Sequence, residues 1–252
     1  MPCLARVRTL TAVLLLLVPS LMAGDGALSN QHTAPTSYIV IGFAGGFVRH
    51  DNLHHGPVQL AQRIQQDVPR GTYIRVFENR HRKAAYKTIL SLLDRNHDGI
   101  LSAQEKAQAR IILFGHSWGA SAVVMLAREL DRMGIPVLLT VQVDSVAKLW
   151  QHDGIIPDNV TDAANFYQPH GLIHGRSVIH AADDSKTHIL GNYRFDYRQT
   201  PVQCKETAWL ERTLTPSHMQ SQCDPHLWAE VESLLLQHME PEPGVITSNP
   251  HP

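Results

Sequence analysis

The chain has 252 residues, 43% of them hydrophobic and 18% charged, with a formal net charge of −1. Basic and acidic residues are interspersed, so the electrostatic footprint of a nucleic-acid or anionic-membrane binder is absent and neither partner is expected. The first residues, "MPCLARVRTLTAVLLLLVPSLMA", set Arg6 and Arg8 ahead of an apolar run too short to span a bilayer comfortably, with small residues near Ala23. That build predicts a signal peptide over residues 1–23, a secreted or periplasmic protein, and no integral membrane segment after its removal.

Residues 24–37 are polar and without periodicity, a flexible mature N-terminus, and residues 241–252 form a C-terminal tail. Between them, residues 38–240 are enough for one domain with a sizeable core. "SYIVIGFAGGF" is a β-branched run ending in a Gly-rich turn, the pattern of a buried strand entering a functional loop. Pro57 opens a helix with Val58, Ala61 and Ile64 on one face, and "TYIRVFE" is a second strand. From His81 the spacing of Tyr86, Ile89, Leu90 and Leu93 is helical. "RIILFG" is a third strand, "ASAVVMLARELDRMG" a helix closed by Gly134 and Pro136, and "VLLTVQV" a fourth strand ending at Asp144. Beyond it "NFYQ", "SVIHAAD" and "HILGNYRFDY" read as strands or extended loops, and Pro225 to His238 as a closing helix. Continuously apolar strands alternating with helices predict an α/β fold with a mostly parallel central sheet covered by helices on both faces.

Two motifs stand within thirty residues of each other. "ILFGHSWGA" is Gly-x-Ser-x-Gly at Gly115, Ser117 and Gly119, between a strand and a helix. A serine hydroxyl is a poor nucleophile unless it protrudes from a tight turn where a base can take its proton, and the two glycines let such a turn close. Upstream, "DRNHDGILSAQE" places Asp94, Asn96 and Asp98 at positions one, three and five of an EF-hand loop, with Ile100, Ser102 and Glu105 at seven, nine and twelve. The loop is single and its outgoing helix short, which predicts a structural calcium ion at residues 94–105 rather than a switch. Exported proteins meet abundant calcium, so even a site of roughly 10⁻⁴ to 10⁻³ M would fill. With Cys3 lost in the signal peptide, Cys204 and Cys223 are expected to pair in an oxidising compartment.

From the elbow and its strand–helix context the chain resembles the α/β-hydrolase superfamily of esterases and lipases over most of residues 38–238, with an EF-hand-type loop inserted. The resemblance implies an acid and a histidine downstream of Ser117, in that order. Asp144 closes the strand after the nucleophile helix, as in lipase-type relatives. Most relatives take the acid one strand later, which leaves Asp183 or Asp184 as rivals. His218, late in the chain and in a loop before the final helix, is the candidate base, with His226 and His188 as alternatives. The resemblance also implies an oxyanion hole with one amide from Trp118 and a second from Phe43 or Ala44. His116 and Trp118, flanking the serine, are expected to pack or to line a pocket.

These readings imply a secreted serine hydrolase that cleaves a small-molecule or lipid ester through Ser117, His218 and Asp144. The alternative is a catalytically inactive, calcium-binding interaction module on a hydrolase scaffold. No charged cluster visible along the sequence selects an acyl or alcohol part.

Overall fold

The computed structural model describes residues 38–204 and 215–240; the expected signal peptide, mature N-terminus and C-terminal tail lie outside the described residues. A six-stranded sheet in the order β2-β1-β3-β4-β6-β8 forms the centre. Its strands are β1 (Ile39–Ala44), β2 (Tyr73–Glu78), β3 (Ile111–His116), β4 (Val137–Val143), β6 (Val160–Tyr167) and β8 (His188–Arg194), and all neighbours pair in parallel. Two-residue strands β5 (Ile155–Ile156) and β7 (His180–Ala181) pair apart from it. The helices are α1 (Gly56–Arg63), α2 (Arg82–Leu93), α3 (Ala103–Ala107), α4 (Trp118–Asp131), α5 (Pro216–Cys223) and α6 (Pro225–Gln237).

At the centre of the sheet both faces are buried because β1, β3 and β4 are apolar at almost every position rather than at alternate ones. Ile39, Ile41, Phe43, Ile111 and Leu113 point to the face covered by α2 and α4, through Ala85, Ile89, Leu93, Val123, Ala127 and Leu130. Their neighbours Val40, Ala44, Ile112, Phe114, Leu139 and Val141 point to the opposite face, covered by Val58 and Leu60 of α1 and Leu227, Trp228, Val231 and Leu235 of α6. The α/β architecture with helices on both faces is therefore the one the apolar pattern dictates. At its end α4 stops as expected, with Gly134 at φ 65° and its N–H on the Asp131 carbonyl.

The second half differs from the sequence expectation in two places. "SVIHAAD" contributes only His180–Ala181, outside the main sheet, and the strand following β4 in that sheet is β6, eight residues reaching back to Val160. Polar residues had masked β6. Asn165 is fully buried and gives its side-chain N–H groups to the Arg176 carbonyl (2.9 Å) and to Asn192 Oδ1 on β8 (3.1 Å), which offsets the cost of burying its donors, although its Oδ1 accepts no hydrogen bond among the described residues.

Topology fixes where a site can form. The chain steps from β1 outward to β2 and then back across β1 to β3, so successive connections diverge between β1 and β3. Such a switch point leaves a crevice beyond the carboxyl ends of the strands. The turn after β1 and the Ser117 elbow after β3 both open onto it.

Cys204 and Cys223 are disulfide-bonded, as expected, and Cys223 is the last residue of α5. A bridge across a loop of this length contributes about 3 kcal/mol in the chain-entropy treatment. Reduction, or Cys204→Ser with Cys223→Ser, should lower the unfolding midpoint by roughly 6–12 °C. A midpoint unmoved in differential scanning fluorimetry would remove the bridge from the stability account.

Candidate active site

Ser117 stands between the last residue of β3 and the first of α4 with φ 56° and ψ −124°. Only four described non-glycine residues have positive φ, and two of them are Ser117 and Asp144, at 43°. Backbone strain of this kind persists only where the surroundings over-determine it, and it gathers at functional sites. The elbow glycines are required sterically. A Cβ on Gly115 would lie 2.6 Å from the Gly119 carbonyl carbon, and one on Gly119 would lie 2.3 Å from the Phe43 carbonyl oxygen.

Three side chains from distant parts of the chain meet here. The His218 Nε2 lies 2.9 Å from Ser117 Oγ, and its Nδ1 lies 2.6 Å from Asp144 Oδ2. The carboxylate is an acceptor, so Nδ1 carries the ring proton and Nε2 is left to accept from the serine hydroxyl. Asp144 is fully buried. Its oxygens also accept from Gln168 Nε2 (3.0 Å), the Gly175 N–H and Ser221 Oγ (3.3 Å). Gly175 can donate because it has no side chain: a Cβ there would sit 2.4 Å from Asp144 Oδ1.

Behind His218 is a column of buried histidines. His116 stacks on the His218 ring at 4.9 Å and bonds Ser221 Oγ through Nε2 at 3.1 Å, while His55 meets His116 edge-on at 5.4 Å. Burial, reinforced by the neighbouring His218, lowers the His55 pKa from 6.5 to about 3 and drives that of His116 well below its ordinary value. Both are therefore neutral at physiological pH. His218 thus sits against an uncharged aromatic wall that fixes its ring plane without competing for its proton.

The remaining candidates lie elsewhere. Asp183 caps an exposed turn through Ser185, with its pKa lowered by that hydrogen bond. Asp184 and His226 are exposed, and the exposed His188 bonds Asp162 at 3.2 Å. His218 itself is not in a loop but on the first turn of α5, two residues after Pro216. β6 ends at Tyr167 and Gln168 follows it, so a carboxamide that orients Asp144 stands where a later acid would have been sought. Gln168, Gly175 and Ser221 carry no local signature and were not visible in the sequence.

Phe43 and Ala44 lie inside β1, paired across to Phe77 and Glu78 of β2, and the turn proper runs from Gly45 through Gly46 and Phe47 to Val48, whose N–H bonds the Gly45 carbonyl. A Cβ on Gly45 would sit 3.0 Å from Ser117 Cβ, so this turn passes directly beside the nucleophile. Asn79, just past β2, bonds the carbonyls of Ala44 (3.2 Å) and Gly46 through its Nδ2 and pins that turn. Trp118 opens α4, with Phe47 edge-on to its ring at 5.3 Å.

The calcium-like loop joins α2 to the five-residue α3. Asp94 accepts from the N–H groups of Asp98 (3.2 Å) and Gly99 (3.0 Å), Asn96 Oδ1 accepts from Asp98, and Asp98 Oδ1 accepts from Ile100 N–H (2.7 Å). Ser102 and Glu105 form a capping box, and Glu105 also accepts from Arg95 N–H. Hydrogen bonds from Ser102 and Arg95 lower the Glu105 pKa to about 2. The carboxylates of Asp94, Asp98 and Glu105 are not gathered within 4.8 Å of one another; among the described residues that spacing is met by His116, Asp144 and His218, the cluster just described.

No family model and no curated protein matches the sequence. Among solved structures, a cutinase-like protein from Cryptococcus sp. is similar at a TM-score of 0.42 and 11% identity, over 80% of this chain and 94% of that one. Human thioesterase 2 gives 0.39 and 9%, over 81% and 96%. A dienelactone hydrolase from Anabaena variabilis gives 0.38 and 12%, over 79% and 84%. Likenesses this distant assign neither residues nor substrates.

The buried histidines make stability depend on pH. The unfolded chain takes up protons at these rings near 6.5, whereas the fold holds His55 neutral down to about 3, so stability is full above 6.5 and falls as pH drops through that window. The unfolding midpoint of His55→Leu should therefore change less between pH 7.5 and 5 than that of the parent, roughly by the share of one titrating group. Parallel midpoint-versus-pH curves would refute this.

Proposed function

We propose that the chain is an exported serine hydrolase acting on carboxylic esters. The observation that carries this reading is the Ser117 Oγ–His218 Nε2 and His218 Nδ1–Asp144 Oδ2 relay, at 2.9 and 2.6 Å, on a nucleophile held in strained backbone. Asp144 fixes the imidazole tautomer. His218 takes the Ser117 proton as the hydroxyl attacks the ester carbonyl, then returns it to the departing alcohol. The developing oxyanion is placed at the N–H of Trp118 and at an amide of the strand-end turn, at Phe43, Ala44 or the adjoining Gly45. Water, activated by the same imidazole, then releases the acid from Ser117.

An inert binding scaffold has no need of strain at both Ser117 and Asp144, nor of a buried carboxylate with several donors aimed at it. The rim favours an ester with an apolar portion: Phe47, Leu149, Trp150 and Leu172 are all more than four-fifths exposed, on the connections that leave β1, β4 and β6. Export agrees with the Cys204–Cys223 bridge. Among the described residues no helix is long and apolar enough to cross a membrane.

The loop at residues 94–105 supplies the oxygen ligands a hard cation needs. Asp94, Asn96, Asp98, Ile100 through its carbonyl, Ser102 and Glu105 would hold calcium, whose role there is structural. The loop links α2, which covers one sheet face, to the strand that ends at the elbow.

Para-nitrophenyl esters of graded chain length provide the test. Ser117→Ala should lose roughly 10³-fold or more in kcat, and Asp144→Asn a comparable factor, while Asp183→Asn stays within about twofold of the parent. Parent and Ser117→Ala hydrolysing every ester equally would end the enzyme reading. For the ion, added calcium should raise the unfolding midpoint of the parent and leave Asp94→Ala with Glu105→Gln unmoved, with a smaller effect on kcat than on stability. An identical response of both proteins would dismiss the calcium site.

A further inference from the structure

The connections after β2 and β4 enclose a cleft of about 250 Å³ next to the elbow, lined by Asn79, Arg80, Arg82, Lys83, Trp118, Ala122, Lys148 and Gln151. Four of these side chains are cationic. Arg80, Arg82 and Lys83 lie together in the sequence, and the fold brings Lys148 to them. Arg80 is neutralised by Glu78 and Arg82 by Glu129 at 2.9 Å. Among the described residues neither Lys83 nor Lys148 pairs with a carboxylate, so the cleft carries two uncompensated positive charges.

Lys148 is anchored rather than free. Its Nζ bonds Asn79 Oδ1 at 2.6 Å and lies 4.9 Å from the centre of the Trp118 ring. Its partial burial, together with repulsion from Arg82, lowers its pKa. An ammonium held in a half-buried position by an amide and an aromatic face, beside other cations, is relieved by an anion. Arg82 and Lys83 begin α2, and the side chain of its N-cap residue, His81, caps no N–H there, so the helix dipole adds to the same field. The cleft is smaller than whole-ligand sites, which commonly run about 300–1,000 Å³, and suits one end of a substrate.

Taking the hydrolase reading above as its basis, we propose that this cleft is a specificity subsite for an oxyanion carried by the ester, with Lys148 and Lys83 as its recognition residues. Ammonium groups act as point charges and do not demand the planar fork that guanidinium offers, so carboxylate serves as the probe. The substrate is then amphiphilic, with an apolar part against the rim and a charged end beside Trp118.

Two matched pairs of esters read this out. One varies the acyl end, para-nitrophenyl hexanoate against mono-para-nitrophenyl adipate; the other varies the alcohol, phenyl acetate against para-carboxyphenyl acetate. The readout is the ratio of kcat/KM for the charged over the neutral member, which cancels any general loss of active protein. In at least one pair Lys148→Met should lower the ratio about tenfold, Lys83→Met should lower it by a smaller factor, and Lys148→Arg should retain most of it. Lys83 is exposed, so its variant is expected to fold even where that at Lys148 does not. Ratios unchanged by both methionine variants in both pairs would overturn the subsite while leaving the hydrolase standing. Failure of the parent to turn over any of the four esters would overturn the hydrolase and the subsite together.

Discussion

A single buried carboxylate organises this molecule beyond the strand ends. Asp144 is fully excluded from solvent, and a charge in that position is tolerated only if the surrounding structure replaces the water it has lost. His218 Nδ1, Gln168 Nε2, the Gly175 N–H and Ser221 Oγ do so from two separate segments. Each donor fixes the segment that supplies it: the loop after β6 is drawn in by Gln168 and Gly175, and α5 by His218 and Ser221. Removing the carboxylate would leave His218 Nδ1, the Gly175 N–H and one Gln168 N–H without that acceptor, while Ser221 keeps the His218 carbonyl at 2.8 Å, which is why this contact governs local order as much as chemistry.

The sheet makes that convergence possible. Parallel strands deliver all their carboxyl ends to one edge, so the residues that follow β1, β2, β3, β4 and β6 are neighbours however far apart they lie in sequence. The switch between β1 and β3 adds the crevice, and the glycine pair at the elbow lets α4 start close enough to β1 for the serine to face it. Strain at Ser117 and Asp144 is then held by the sheet on one side and by α4 and the Asp144 donors on the other.

What could be read in the sequence follows from this geometry. β1, β3, β4, α4 and the elbow announce themselves through local pattern, because their apolar runs and glycines are needed within a few residues of each other. Asp144 was legible for the same reason, as the residue closing an apolar strand. β6 was only partly legible, since Asp162 and Asn165 break its apolar run, and the partners that the Asp162 carboxylate and the Asn165 N–H groups find, His188 and Asn192, are supplied only by the folded sheet. α5 reads as a loop in the sequence because it is short and weakly amphipathic, and what holds it is long-range: a disulfide at its end and a carboxylate beside its first turn. Gln168, Gly175, Ser221 and the cleft lysines follow no spacing rule at all, because their roles exist only where different strand ends meet.

Asn79 shows why recognition and chemistry need not be independent here. One side of its carboxamide holds the carbonyls of Ala44 and Gly46, and so the turn that runs beside Ser117; the other holds Lys148 in the cationic cleft. Lys148 in turn lies over Trp118, whose backbone N–H points toward the developing oxyanion in the proposed mechanism. An anion drawing Lys148 toward itself would act on the turn through the Asn79 amide and on Trp118 through its ring. Binding energy from the charged end of a substrate can thereby reach the transition state at the other end, where it raises kcat rather than merely lowering KM.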